Sequence, residues 1–351
     1  MDNIKSLHTK ETFMKTLLRT TLALGLAFNA ATSWAEALLI NGAGATFPYP
    51  IYSKWFDEYH KVKPDIQFNY QSIGSGGGIR QISSRTVDFG ASDGPMTEDQ
   101  LAAANGAIIH LPTVLGAVVP VYNIDGVTDS LNFTQKAIAG IFLGTITMWN
   151  DPEIQQANPN AKLPGSPIVV VHRSDGSGTS YCWTDFLSKI SSAWASRVGR
   201  GTAVNWPVGL GGKGNEGVAG LVKQTPASIG YVELIYAQQN KISYGLLQNK
   251  AGKFVAASAA SVASAAASAK MPFDFRVSIT NAPSEDAYPA STYTWLLLYK
   301  SQSNKQKGAA MVDFLKWMLK DGQGMADSLG YVPLPDNVKA MVEKAVTKIS
   351  V

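Results

Sequence analysis

The sequence predicts an α/β protein with mainly parallel sheets. Short β-rich runs alternate with amphipathic helical stretches along the chain. Glycine-rich turns also sit between several of those strand and helix candidates. Ile66, Phe68 and Tyr70 alternate with polar residues, as on a strand with one buried face. Ile79 and Ile82 then suit a helix, and Val87-Asp88-Phe89-Gly90 reads as a short strand. Val114–Tyr122 is a β-rich apolar run. Ile168-Val169-Val170-Val171 is continuously apolar, as in a parallel strand covered on both faces. Ile229–Val232 and Thr294–Tyr299 complete the strand candidates. Helices are predicted over Pro50–His60, Thr134–Leu143, Ser177–Ile190 and Gly308–Leu319. Thr134 is placed to cap its helix, with Ile138, Ile141 and Phe142 on one face. The Ala/Ser-rich stretch 255–269 lacks Gly and Pro and is read as a helix.

Composition narrows the function classes. The chain has 351 residues, 45% of them hydrophobic and 16% charged, enough for about two domains at roughly 150 residues each. The formal charge of +4 comes from 30 Lys+Arg against 26 Asp+Glu, without the clustered basic stripe of a nucleic-acid binder. One cysteine, Cys182, cannot form an intramolecular disulfide. His8, His60, His110 and His172 are far apart, so no metal site and no cofactor are expected.

Residues 14–35 carry a basic start (Lys15, Arg19), a short apolar core (Thr20–Phe28) and the small residues Ser33 and Ala35 flanking Trp34. That pattern predicts an export signal cleaved near Ala35/Glu36, with translation starting at Met14. No cysteine stands at the cleavage point, so no lipid anchor is expected there, and no later segment is apolar enough to span a bilayer.

Three glycine-rich turns can hold an anion. They are Gly42–Pro48, Gly74–Gly78 and Arg173–Ser180, each before a predicted helix. Small residues let the backbone approach a ligand, and a helix start offers free N–H groups with the positive end of the dipole. Ser and Thr add hydroxyl donors, and Arg173 adds a guanidinium that suits a tetrahedral oxyanion. Turns of this kind also occur merely to cap helices. Gly209–Gly214 fits G-x-G-x-x-G, with Glu233 where a ribose-binding acid would stand. Trp206-Pro207 argues against a central strand before it, and the segment is read as a glycine loop at the domain interface. Cys182 reads as a small core residue, and His172 as a possible base without a completed triad.

The motifs GAGATFP, GSGGGIRQI, VDFGASD, RSDGSGTS, WPVGLGGKGN and IGYVE follow one another in order. As a set they resemble the phosphate-binding periplasmic proteins of the Pst phosphate ABC importer, from about Leu38 to the C-terminus. The resemblance implies a two-lobed, type II-like periplasmic binding-protein fold whose α/β lobes are joined by two extended hinge crossings. Those crossings would fall near Val114–Val118 and Thr292–Trp295, giving lobe one as 36–115 plus 294–351 and lobe two as 116–293. It implies phosphate contacts at Thr46, the Phe47 amide, Ser75, Asp93, Arg173, Ser177, Gly178 and Thr179. Asp175 would hold Arg173, and Gly76 would supply a backbone donor. The implied protein is a non-catalytic periplasmic monomer that delivers inorganic phosphate to an inner-membrane permease. An exported phosphatase and a binder of another protonated oxyanion are the competing readings. Asp93 also has a local alternative, as a cap for a helix near Met96–Leu101, where Thr97 competes.

Overall fold

The computed structural model describes residues 37–127 and 129–351. The predicted export signal and start site lie outside them. Among the described residues twelve strands form: β1 (Leu38–Gly44), β2 (Ile66–Ser72), β3 (Phe89–Ser92), β4 (Ile108–Asn123), β5 (Asn132–Phe133), β6 (Val169–Arg173), β7 (Leu210–Gly212), β8 (Ser228–Glu233), β9 (Ser243–Tyr244), β10 (Leu246–Gln248), β11 (Phe254–Val255) and β12 (Ser291–Tyr299). The main sheet has nine strands in the order β2-β1-β3-β12-β4-β8-β6-β7, with β9 also on β4. A small sheet holds β11-β10-β5.

The strand assignments follow the apolar runs, but the sheet is mixed rather than mainly parallel. Its two ends are parallel, β2-β1-β3 and β8-β6-β7. Its centre is antiparallel, because β12 and β4 run against each other and against their outer neighbours β3 and β8. Apolar runs buried on both faces look alike in either direction, so direction was not legible in them. β4 is longer than its predicted core and serves both ends of the sheet. It pairs with β12 through Ala117 and with β8 from Val118 onward.

The helices form where their caps and apolar faces stand. Thr134 Oγ1 accepts from the Ala137 amide at 3.0 Å and starts the helix Gln135–Leu143, whose Ile138, Ile141 and Phe142 are buried. Ser258 caps Ala259–Ala267, so the Ala/Ser stretch is helical as its propensity requires. Tyr49–Val62 buries Tyr52, Trp55, Phe56 and Tyr59. Phe56, Phe68 and Phe314 form one aromatic cluster there, with Phe56 stacked on Phe68 at 4.6 Å. A second cluster lies under β8, where Trp183 stacks on Tyr231 at 5.3 Å and Phe142 meets both.

Candidate functional site: a buried ring of hydroxyls, an arginine and one carboxylate

The three glycine-rich turns converge. Thr46 follows β1, Ser75 opens the helix Ser75–Ser83, Asp93 follows β3, and Arg173 ends β6 just before the helix Gly178–Ile190. Thr46, Ser75, Asp93, Arg173, Ser177 and Thr179 are all buried, each at most 3% exposed. Ser75 Oγ accepts from the Gly178 amide at 2.9 Å and from the Asp93 amide at 3.3 Å, so it joins the second and third turns. The Gly76 amide donates to Gly176 O at 2.8 Å across the same seam. Phe47 is fully buried in the first turn, and its carbonyl accepts from the Tyr331 hydroxyl at 2.6 Å.

Arg173 is held as a fork. Its Nε and Nη2 donate to Asp175 Oδ1 and Oδ2 at 2.8 and 2.6 Å. The Gly214 amide also donates to Asp175 Oδ1 at 3.0 Å. Burial alone would raise the Asp175 pKa, but the hydrogen bonds and charge of Arg173 outweigh it and hold the carboxyl below its ordinary value. A carboxylate thus fixes one edge of the guanidinium, and Nη1 turns toward Thr179 Oγ1 at 3.4 Å.

The hydroxyls share one design. Ser177 Oγ accepts from the Ser180 amide at 3.0 Å as the helix cap. Thr46 Oγ1 accepts from Asn215 Nδ2 at 2.8 Å, and Thr179 Oγ1 accepts from the same nitrogen at 3.1 Å. With Ser75, each hydroxyl spends a lone pair on the protein frame. Accepting does not use the hydroxyl hydrogen, so Thr46, Ser177 and Thr179 keep a donor to offer, while the Ser75 hydroxyl bonds the Asp93 carboxylate.

Asp93 differs from these donors. Its Oδ1 accepts from Thr294 Oγ1 at 2.9 Å. Gly178 packs so closely that a Cβ there would come within 2.6 Å of Asp93 Oδ2, so only glycine fits. Burial drives the Asp93 pKa from 3.8 up to about 7, against the Thr294 hydrogen bond and the Arg173 charge. Asp93 does not cap the following helix. Thr97 does, in a reciprocal pair with Gln100.

The glycine loop at 209–214 departs from expectation. It contains β7 and runs directly into the helix Gly214–Gln224, despite the proline upstream. β7 is three residues long and lies at the sheet edge, where Pro207 blocks no ladder. Asp175 occupies the Gly214 amide at this helix start, and Glu233 is a buried cap on Ile235, so neither serves a dinucleotide. The helix instead delivers Asn215, fully buried between Thr46 and Thr179. Asn215 and Thr294 are the site residues the sequence reading missed. Asn215 is the last residue of WPVGLGGKGN, and Thr294 falls in the predicted crossing Thr292–Trp295. His172 points elsewhere, stacked on Trp206 at 4.9 Å.

A family model described as a PBP superfamily domain matches residues 29–321. The phosphate-binding protein PstS of Pasteurella multocida is 45% identical over 320 residues, covering 90% of this chain and 92% of that protein. PstS of Xylella fastidiosa is 47% identical over 311 residues, covering 88% and 85%. The chain belongs to the PstS family.

Solved structures give the PstS chain its architecture. A high-affinity periplasmic phosphate-binding protein, PfluDING, bound with phosphate, superposes with a TM-score of 0.70 at 20% identity, over 88% of this chain and 93% of that one. A phosphate-binding protein from Stenotrophomonas maltophilia superposes at 0.66 with 19% identity, over 88% and 94%. The fold is the two-lobed periplasmic binding-protein fold. Five of the six motifs that marked the resemblance in sequence supply residues of the buried ring, and the sixth, IGYVE, forms β8.

Proposed function

We propose that this chain binds inorganic phosphate in the buried ring and hands it to an inner-membrane ABC permease. The observation that carries the reading is the pairing of many donors with one acceptor. Thr46, Ser177 and Thr179 each retain a hydroxyl hydrogen, and the Arg173 guanidinium is fixed by Asp175. The Phe47 amide lies in the first turn, whereas the amides of Gly76 and Gly178, expected as donors, are already bonded to Gly176 O and Ser75 Oγ. Phosphate near neutral pH still carries a proton, and its O–H donates a hydrogen bond that the Asp93 carboxylate accepts. Sulfate carries none and would face the carboxylate with like charge, leaving Asp93 unpaired at a cost of roughly 1–3 kcal/mol or more.

The two lobes are assigned as 36–115 plus 294–351 and 116–293. The handover of β4 from β12 to β8 at Ala117/Val118 supports a crossing there. The Ser75–Gly178 and Gly76–Gly176 bonds then join one lobe to the other.

Binding rather than catalysis is favoured by the state of the nucleophiles. Burial raises the Cys182 thiol well above its ordinary value, which keeps it protonated and unreactive. The leader-like residues 14–35 support a periplasmic location, and the protein is expected to act as a monomer without a lipid anchor. Among the described residues no helix is long and apolar enough to cross a membrane.

The test is a calorimetric titration of refolded, phosphate-stripped protein, first with phosphate and then with sulfate. One-to-one phosphate binding with no sulfate heat is the expected result. Absence of phosphate binding by a folded sample refutes the reading. A phosphate-ester turnover assay on the same sample checks for a phosphatase.

A further inference from the structure

A cavity of about 450 Å³ lies between the segment 273–276, the start of β4 and the helix Asp336–Val346. It is separate from the buried ring and shares no residue with it. Its size falls in the range of small-ligand clefts, roughly 300–1,000 Å³. Leu101, Ile108, Phe275 and Met341 give it an apolar lining. Three lysines, Lys300, Lys344 and Lys348, stand around it. Among the described residues none of the three is in a salt bridge. Arg276, the other cation of the lining, is engaged by Glu98 and Asp274 at 2.8 Å each.

The walls are built rather than incidental. Phe275 is 5% exposed and holds a left-handed backbone, φ 60°, which a bulky residue adopts only under constraint. The indole N–H of Trp295 fixes it, donating to Phe275 O at 2.9 Å. The Lys300 backbone is pinned on both sides, its amide to Ala107 O at 2.8 Å and its carbonyl to the Ser350 amide at 2.9 Å. Met341, Lys344 and Ala345 follow helical spacing on one face of the helix, and Lys348 stands in the turn just past its end. Phe273, 98% exposed, forms a free lip.

We propose that this cavity is a second ligand site, for an amphiphilic carboxylate. The apolar floor takes a short hydrocarbon tail and the unpaired lysines take the carboxylate head. A concave site with charge on one side and hydrocarbon on the other matches a small amphiphile better than a polar anion, which would leave the floor unmatched. Lysine is a point charge that does not need a planar partner, in contrast to the forked Arg173 of the phosphate ring.

The probe is decanoate, titrated calorimetrically into the phosphate-loaded protein below its micelle-forming concentration, with decanol as the uncharged control. The expected result is saturable one-to-one decanoate binding, with decanol at least about tenfold weaker, the loss of a charge-assisted contact. The double substitution Lys344→Gln with Lys348→Gln is expected to weaken decanoate by at least about tenfold. Ala345→Trp, which fills the cavity, is expected to abolish decanoate binding. Both variants are expected to bind phosphate as the parent does, which shows that they remain folded. No saturable decanoate binding overturns the proposal. So does decanol binding equal to decanoate, or decanoate affinity unchanged in the lysine variant, because the lysines would then only complement the C-terminal end of their helix.

Discussion

The Asp93 carboxyl carries two opposed demands. It must be charged to accept a hydrogen bond from the phosphate O–H, yet burial raises its pKa to about 7. In the unfolded chain it titrates near 3.8, so between roughly pH 4 and 7 the native state holds a proton that the unfolded state has released. Ligand-free stability from this group therefore falls as pH rises through that window and levels off above it. Asp93→Asn removes the penalty. The ligand-free variant is expected to melt higher than the parent at pH 8.5, with the gap closing toward pH 4, as thermal scans across that range would read. The same substitution is expected to narrow the phosphate-over-sulfate preference, because an amide can donate to sulfate. An unchanged preference in paired titrations would remove Asp93 as the discriminating acceptor.

Arg173 and Asn215 act on the other side of the ring. Arg173→Ala is expected to weaken phosphate binding by more than about tenfold, from the loss of a charge-assisted bond. Asn215 holds Thr46 and Thr179 by one nitrogen, while its Oδ1 accepts from the Glu233 amide at 3.0 Å. Asn215→Ala is expected to lower phosphate affinity by about tenfold, the scale of a lost polar contact, without touching the ligand's charge balance. Titration of each variant checks both.

At the element scale, helix starts do most of the positioning. The helix Gly178–Ile190 is held at its start by Ser177, and the Gly178 amide meets Ser75. Ser177→Ala is expected to cost about 1 kcal/mol of stability from the cap alone. It is also expected to weaken phosphate, since the same hydroxyl keeps a hydrogen for the ligand. Denaturant melts and titrations separate the two effects. These elements were legible in the sequence because caps and apolar faces are local signals. Thr134 stands as a cap where it was read, and the structure adds Ser177 as a second. Strand direction was not legible. β4 and β12 run antiparallel at the sheet centre although their apolar runs resemble those of parallel strands. The helix Gly214–Gln224 was hidden for a related reason, since a proline upstream of an edge strand carries no information about the strand itself.

For the whole molecule, the seam between the turns is the sensitive point. A Cβ on Gly176 would lie 3.0 Å from Gly76 Cα, at backbone that cannot swing away as a side chain can. Gly176→Val is expected to force the seam apart and weaken phosphate by at least about tenfold. Its ligand-free melting temperature is expected to change little, because the contact is made at the seam and not in either aromatic cluster. Ligand also stabilises in proportion to the logarithm of its concentration over Kd. The parent's melting temperature should therefore rise steadily with added phosphate, and that of Gly176→Val should rise less at each concentration.

The sequence by itself determined the parts. It supplied the turns at 42–48, 74–78 and 173–180 and the hydroxyls and guanidinium within them. These depend on neighbours a few residues away, so they are written in order along the chain. The tertiary structure decided their convergence. Asn215 reaches Thr46 across 169 positions, and Thr294 reaches Asp93 across 201. Only that convergence buries Asp93 enough to raise its pKa, and brings hydroxyls from separate turns together around one carboxylate.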